Sequence, residues 1–274
     1  MNTVILTNDN FFSFTVLRKF LELHKAEIKL VVFSSALIGK KGTFESIGWS
    51  IKNTGWRHTI FKLGTYGIFR FMKMVCKILP FIDNSYSSYL WVKKNKIPYL
   101  TAQNINESAV VERIRQENPD LIISVSMNQI VKKDILEMPP KRCINVHCAP
   151  LPRYGGMSPY VWALANNEDH SAATIHYMDE GLDTGDIIVQ EKIKVVKNDS
   201  AFALFYRCCC QAGELLIKVV DDIEKGIVTH YEQDLSQKSY FSWPDKDCVK
   251  RLRANGYRLA KVSNYASAIF SHKP

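Results

Sequence analysis

Cys143-Ile-Asn-Val-His-Cys148 runs into Ala149-Pro-Leu-Pro152 and Arg153-Tyr-Gly-Gly156, and Met178-Asp-Glu-Gly-Leu-Asp-Thr-Gly-Asp186 follows downstream. The first six residues read as a buried strand that ends in groups a packed strand does not need. Asn145 and His147 are two apart, so an extended chain projects them from one face. The prolines and glycines after His147 build a stiff, backbone-exposing rim, which suits a ligand site at a strand end in an open α/β sheet. Asp183 lies on a turn bracketed by Gly181 and Gly185, where backbone amides can come close to a ligand. An amide donor, an imidazole and a carboxylate together can stabilise an oxyanion and move a proton.

Upstream, Thr3–Thr7 reads as a buried strand, residues 14–24 as a helix with apolar positions at helical spacing, and Ile28–Ser34 as a second strand. That opening predicts an α/β domain with a mostly parallel sheet. The first turn lacks GxGxxG, so it carries no dinucleotide fingerprint. Regular elements return with a helix at 107–117, a strand at 120–126, a helical turn at 132–136 and the Cys143–Cys148 strand. Ser158-Pro159 reads as a helix start, Ser as N-cap and Pro at the first helical position, with the helix reaching about Asn166. Strands at 173–178 and 187–193 flank the Gly-rich turn. From Asp199-Ser200 a long helix carries one apolar stripe (Phe202, Phe205, Cys209, Ala212, Leu216, Val219, Ile223) and stops at Gly226. Two of its consecutive cysteines, 208 to 210, are expected off that stripe. A short amphipathic helix is expected at 248–259.

Residues 38–96 interrupt this regularity with glycines at 39, 42, 48, 55, 64 and 67 among Trp, Phe, Ile and Lys. Helices are expected at 60–79 and 85–96. Packing on the same domain, a dimer contact and an interfacial membrane helix all fit the first of them. The formal charge of +9 is concentrated here and at the end of the chain. Eight Lys and Arg between Leu37 and Pro80 face Glu45 alone, and seven from Lys246 onward face Asp247 alone. Anionic partners fit this charge: nucleotide, phosphorylated metabolite, RNA or acidic membrane surface. A solvated basic surface fits it as well.

Seven cysteines without a CxxC pair argue against a disulfide framework or a zinc site, and for a reducing cytoplasm. No run of apolar residues is long enough for a spanning helix, and the N-terminus shows no signal segment. His170, His176 and His230 have no metal-ligand spacing, and Asp179, Glu180 and Asp186 have less defined company than Asp183.

Asn145-Val-His147, Leu151-Pro-Arg-Tyr-Gly-Gly156 and Met178 to Gly185 resemble the signature of the folate-dependent formyltransferases, which include methionyl-tRNA, glycinamide ribonucleotide and sugar N-formyltransferases. The likeness runs over roughly residues 100–226. It implies a Rossmann-like formyltransferase core over 1–226, interrupted by the basic helical insertion 38–96 and followed by a short basic extension, 227–274. It implies a catalytic trio of Asn145, His147 and Asp183. It also implies 10-formyltetrahydrofolate as cosubstrate, its pterin lying against the loop with Met127, Gln129, Ile130 and Val131 and the turn Met178, Asp179, Glu180, Gly181 and Leu182. Asn145 and His147 would then donate to the oxygen that becomes anionic as an amine attacks the formyl carbon, one such donor being worth about 3 kcal/mol. Asp183 would stabilise a positive His147 ring and help carry the amine proton through water. No metal is expected.

The acceptor expected from this resemblance is an amino-sugar nucleotide, with Asn8, Asp9 and Asn10 as contacts. Asn8-Asp-Asn-Phe-Phe12 lacks the Gly/Ser-rich phosphate loop of the glycinamide ribonucleotide enzymes. The 48 residues after Gly226 are too few for the C-terminal barrel of the initiator-tRNA enzymes. An aminoacyl-tRNA acceptor, another amine, or water in a formyltetrahydrofolate hydrolase are the alternatives. A homodimer is a possible assembly. A non-enzymatic RNA- or membrane-binding protein accounts for the charge but not for the trio.

Overall fold

The computed structural model describes residues 1–35, 43–78 and 86–270. The glycines at 39 and 42, Lys40, Lys41, Leu79 and the first residue of the helix expected at 85–96 lie outside them.

The chain opens with β1 (Thr3–Thr7), α1 (Phe11–Leu23) and β2 (Ile28–Ser34), as their patterns predict. The basic segment then forms α2 (Thr43–Thr54), α3 (Trp56–Ile78) and α4 (Ser88–Lys94). β3 (Tyr99–Ala102), α5 (Ser108–Arg115), β4 (Leu121–Val125), α6 (Lys133–Leu136) and β5 (Cys143–His147) follow. After β5 come β6 (Gly155–Gly156), α7 (Pro159–Ala165), β7 (His170–Tyr177), β8 (Ile187–Lys194) and α8 (Ala201–Lys225). β9 (Tyr240–Phe241), α9 (Lys246–Ala254) and α10 (Val262–Phe270) complete the chain.

Seven strands make one sheet in the order β3-β2-β1-β4-β5-β7-β8. The strands from β3 to β5 pair in parallel, whereas β7 runs antiparallel to β5 and to β8. This is the mostly parallel α/β architecture expected from the sequence. The central strands are buried on both faces: every residue of β1 and β4 is buried, and each has three consecutive aliphatic residues, Val4–Leu6 and Leu121–Ile123. Ile5 and Ile123 point into a core with Val16, Leu17 and Phe20 of α1 and Ala212, Leu216 and Val219 of α8. Val4, Leu6 and Ile122 point the other way, onto Val111 and Ile114 of α5 and Ile135 of α6. Burying a side chain of this size contributes about 1.5–3 kcal/mol. The strand order reverses between β1 and β4, and in such sheets ligands bind at the carboxyl ends of the strands beside that reversal.

α8 starts with the Ser200 side chain accepting from Ala203 N–H and stops at Gly226, whose φ of 70° closes the last turn. As expected, two of its consecutive cysteines lie off the stripe, Cys208 and Cys210, yet Cys208 is buried like Cys209 and Cys210 is exposed. The reason is that α8 is covered on two sides. Cys209 faces the sheet, while Cys208 faces a second cluster with Trp162 of α7 and Cys248 and Leu252 of α9. Ser158 departs from expectation. It is the residue before α7, but at φ 53° it is left-handed and its side chain caps nothing.

The helix expected at 60–79 begins earlier, at Trp56, and docks through stacked rings. Phe69 lies 3.6 Å, centroid to centroid, from Phe11 of α1, with Phe202 of α8 and Tyr265 of α10 around it. The helix expected at 248–259 is instead α9, ending at Ala254, and α10 follows. Residues 227–274 fold back on the core as far as they are described. Tyr231 exchanges backbone hydrogen bonds with Ile187, β9 pairs with β6, and α9 packs on α7.

Candidate active site

β5 carries Asn145 and His147 to the carboxyl edge of the sheet, both half-buried and on one face. In the antiparallel pairing with β7, Asn145 stands opposite His176. His176 Nδ1 lies 2.7 Å from the Tyr177 carbonyl, so it is the protonated nitrogen and donates there. Its Nε2 therefore holds a lone pair, and Asn145 Nδ2, 3.2 Å away, donates to it. Burial pushes the pKa of His176 down and the nearby Asp183 carboxylate only partly opposes this, so the ring is neutral. The result is a fixed Asn145 amide, with one N–H held by His176 and the other left over. Sequence reading dismissed His176 for want of metal-ligand spacing. The signal it carried was alternation: Ile175 and Tyr177 face the core while Thr174 and His176 face the other side.

His147 Nε2 lies 3.2 Å from the Tyr154 carbonyl and donates to it, leaving Nδ1 toward Asp183 Oδ1 at 4.0 Å. The same carboxylate oxygen is 3.9 Å from His176 Nε2. Both separations are too long for hydrogen bonds and short enough for one water or a ligand atom to bridge. Asp183 Oδ2 accepts from Gly156 N–H at 3.2 Å. Burial by itself would raise the Asp183 carboxyl. The rings of His147 and His176 and the Gly156 amide outweigh it, so the group titrates below its ordinary value. Asp183 is held at φ 55°, a left-handed position uncommon for a residue with a side chain.

Two clamps from the C-terminal segment hold this arrangement. The Gln233 side chain donates to the carbonyls of Asp183 (3.0 Å) and Gly185 (2.6 Å), pinning the turn from behind. Ser239 binds the other loop: its Oγ accepts from Tyr154 N–H and its carbonyl from Gly155 N–H, both at 2.9 Å. Gly156, at φ 95°, sits so close to β9 that a Cβ there would lie 2.3 Å from the Phe241 carbonyl. No motif in the sequence pointed to Gln233 or Ser239, because contacts from coil across such separations leave no local pattern.

The two loops expected to hold the pterin are neighbours. Met127 and Met178 both pack on the cluster beneath β4 and β5, and Met178 N–H donates to the Cys143 carbonyl. Ile130 and Leu182 present apolar side chains to solvent, 60% and 45% exposed. The buried Val131 offers only backbone. Gln129 is committed to the fold, bonding Ile105 N–H, the Gln103 carbonyl and Ser34 Oγ. Asp179 closes its own turn by accepting from Gly181 N–H and Thr184 Oγ1, and Glu180 is exposed.

Of the residues expected to meet the acceptor, two are already engaged. Asp9 binds Lys73, Ser87 Oγ and Tyr89 N–H, and Asn10 caps α1 through Ser13. Asn8 donates to the Ser126 carbonyl, but its buried Oδ1 has no partner among the described residues. That leaves an acceptor atom at the strand reversal. Among the described residues no group of three His, Cys, Asp or Glu could hold a metal ion.

A family model described as formyl transferase matches residues 82–220. A methionyl-tRNA formyltransferase of Lachnospira eligens is 38% identical over 144 residues, covering 53% of this chain and 46% of that protein. The chain thus spans about half the length of the curated relatives it matches. Among solved structures, an N-formyltransferase from Helicobacter canadensis in complex with folinic acid and dTDP-3-aminofucose superposes with a TM-score of 0.58 at 20% identity, over 89% of this chain and 71% of that one. A phosphoribosylglycinamide formyltransferase from Anaplasma phagocytophilum gives 0.58 at 15%, over 89% and 98%. At such identities the two structures bear on the fold alone.

Proposed function

The chain belongs to the formyl transferase family, and on that premise we propose that it moves a formyl group from 10-formyltetrahydrofolate to a primary amine, with Asn145, His147 and Asp183 as the catalytic residues. The observation that carries this reading is the approach of His147 Nδ1 to Asp183 Oδ1 at 4.0 Å, beside an Asn145 amide with one N–H left over. A flat ring with a polar edge suits loops that present the exposed apolar side chains of Ile130 and Leu182 together with backbone groups. The cosubstrate, when bound, supplies the formyl carbon.

The chain's own groups account for the rest. The spare Asn145 N–H donates to the formyl oxygen as it gains charge, already aimed because His176 holds its twin. Its orientation costs nothing at the moment of reaction. His147 is held by Tyr154 with its other nitrogen toward Asp183, so a proton leaving the amine has a carboxylate and an imidazole within reach of one water. The Asp183 carboxylate, kept ionised because the two rings and the Gly156 amide outweigh its burial, would stabilise the positive charge while that proton passes through water to the departing folate nitrogen.

For the acceptor we propose an amino-sugar nucleotide, in line with the Helicobacter canadensis neighbour and its bound dTDP-3-aminofucose. An aminoacyl-tRNA is the second reading, favoured by the 38% identity to a methionyl-tRNA formyltransferase. The test is to incubate the protein with 10-formyltetrahydrofolate and a panel of amino-sugar nucleotides, aminoacyl-tRNA and free amines, and to look for a gain of one formyl group by mass spectrometry. Formylation of an amino-sugar nucleotide supports the first reading and formylation of aminoacyl-tRNA the second. Formate release with every amine left unmodified points to hydrolysis and overturns transfer.

A further inference from the structure

α3 does two things on two faces. Its buried face, with Phe61, Thr65, Phe69 and Cys76, anchors it to the core. The opposite face repeats apolar or side-chain-free positions at spacings of four and three: Trp56, Ile60, Leu63, Gly67, Phe71, Met74, Ile78. The six apolar side chains among them are exposed, Ile60 at 61%, Phe71 at 58% and Ile78 at 67%. On a helix this spacing is a single stripe, about 34 Å long for 23 residues. A contiguous exposed apolar stripe of that length marks an interaction surface.

Charge decides what it meets. Residues 46–78 contain six Lys and Arg and no carboxylate. Two of the six are used internally: Lys73 is paired with Asp9, and Lys62 lies 3.1 Å over the Trp243 ring. Lys52, Arg57, Arg70 and Lys77 make no ion pair among the described residues. A second copy of this chain seated on the stripe would bring unneutralised cations against their own kind. At its Trp56 end the stripe joins a groove of about 740 Å³, whose lining includes Trp56 and Ile60 of the stripe with Arg57, Arg253, Arg258 and Tyr257. Guanidinium groups beside Trp and Tyr are the combination that suits the headgroup level of a bilayer.

We propose that α3 is a membrane-surface helix: its outward stripe enters the acyl boundary of an anionic bilayer while Arg57, Arg70, Lys77 and the arginine groove engage lipid phosphates. No helix among the described residues is long and apolar enough to cross a membrane, so the association is with one leaflet. The surface lies outside the catalytic residues, and the proposal stands or falls separately from formyl transfer.

The test is co-sedimentation of the full chain with vesicles of phosphatidylcholine alone and with roughly a third phosphatidylglycerol, at low and high salt. Binding to the anionic vesicles alone is expected. Phe71→Glu with Met74→Glu should weaken it at least about tenfold, and Arg57→Gln with Arg70→Gln and Lys77→Gln by a similar factor. These side chains are exposed, so circular dichroism and Tm of the variants should match wild type. Failure to bind anionic vesicles at low salt overturns the proposal. So does binding that the two glutamates leave unchanged, since that is adsorption by charge alone. Concentration-dependent self-association removed by the same glutamates, without vesicle binding, assigns the stripe to a second copy and overturns it too.

Discussion

Replacing His176 by Phe tests whether Asn145 acts as an aimed donor. The ring volume stays and both nitrogens go. Asn145 Nδ2 loses its 3.2 Å acceptor, and the buried Tyr177 carbonyl loses a 2.7 Å donor. One neutral hydrogen bond and one stranded carbonyl together cost about 2–4 kcal/mol. For a chain of this size that lowers Tm by roughly 5–15 °C. An amide donor removed outright costs about a hundredfold in rate. A donor merely released should give up part of that, so kcat should fall about tenfold with KM for the folate cosubstrate unchanged. Steady-state rates with the acceptor found by mass spectrometry supply the numbers. The variant also carries a pH signature. Wild-type His176 has a depressed folded pKa against 6.5 for the free ring. Its contribution to stability is therefore present above that value and lost as pH falls through the folded one. The Tm of His176→Phe should accordingly drop less than wild type between neutral pH and about pH 5. Full kcat in a well-folded variant would refute the idea that His176 aims the amide.

The other predictions concern the supports. Gln233→Ala strands the Asp183 and Gly185 carbonyls and should cost about 1–3 kcal/mol by denaturant melt, with a larger proportional loss in kcat than in folate affinity. Gly156→Ala drives a Cβ to 2.3 Å from the Phe241 carbonyl at a left-handed position, and should destabilise by about 1–3 kcal/mol or more while unseating the Gly156–Asp183 bond. Because Asp183 titrates below 3.8, its share of stability is present above that value and disappears as pH falls through the depressed one; Asp183→Asn should flatten the acid limb of a Tm-against-pH curve there.

The sequence carried the frame of this molecule in its apolar runs. β1, β2 and β4 lie inside the sheet, and their cores Val4–Leu6, Leu30–Phe33 and Leu121–Ile123 are uninterrupted apolar stretches that announce them. β3 was missed because it is a short edge strand, mostly open to solvent, after Pro98. β6 and β9 are two residues each and exist only because the chain returns from residue 240 to residue 155. The convergence of Asn145, His147 and Asp183 was legible through their local settings: strand end, prolines and glycines for the first two, a Gly-bracketed turn for Asp183. His176 was not, since its partner across the sheet depends on which strands pair, and the chain passes through β6 and α7 before β7 returns antiparallel to β5. Asp9 and Asn10 looked like ligand groups because loop carboxylates and amides usually do. Their partners, Lys73 of α3 and Ser13 of α1, show that one ties the insertion to the sheet and the other starts a helix.

The central claim is that three side chains distant in sequence act on one carbon. Transfer of the formyl group should be timed in wild type and in Asn145→Ala, His147→Ala and Asp183→Ala, each checked for intact folding by circular dichroism. Losses of about a hundredfold or more in every variant are expected; wild-type rates in all three would place the chemistry elsewhere.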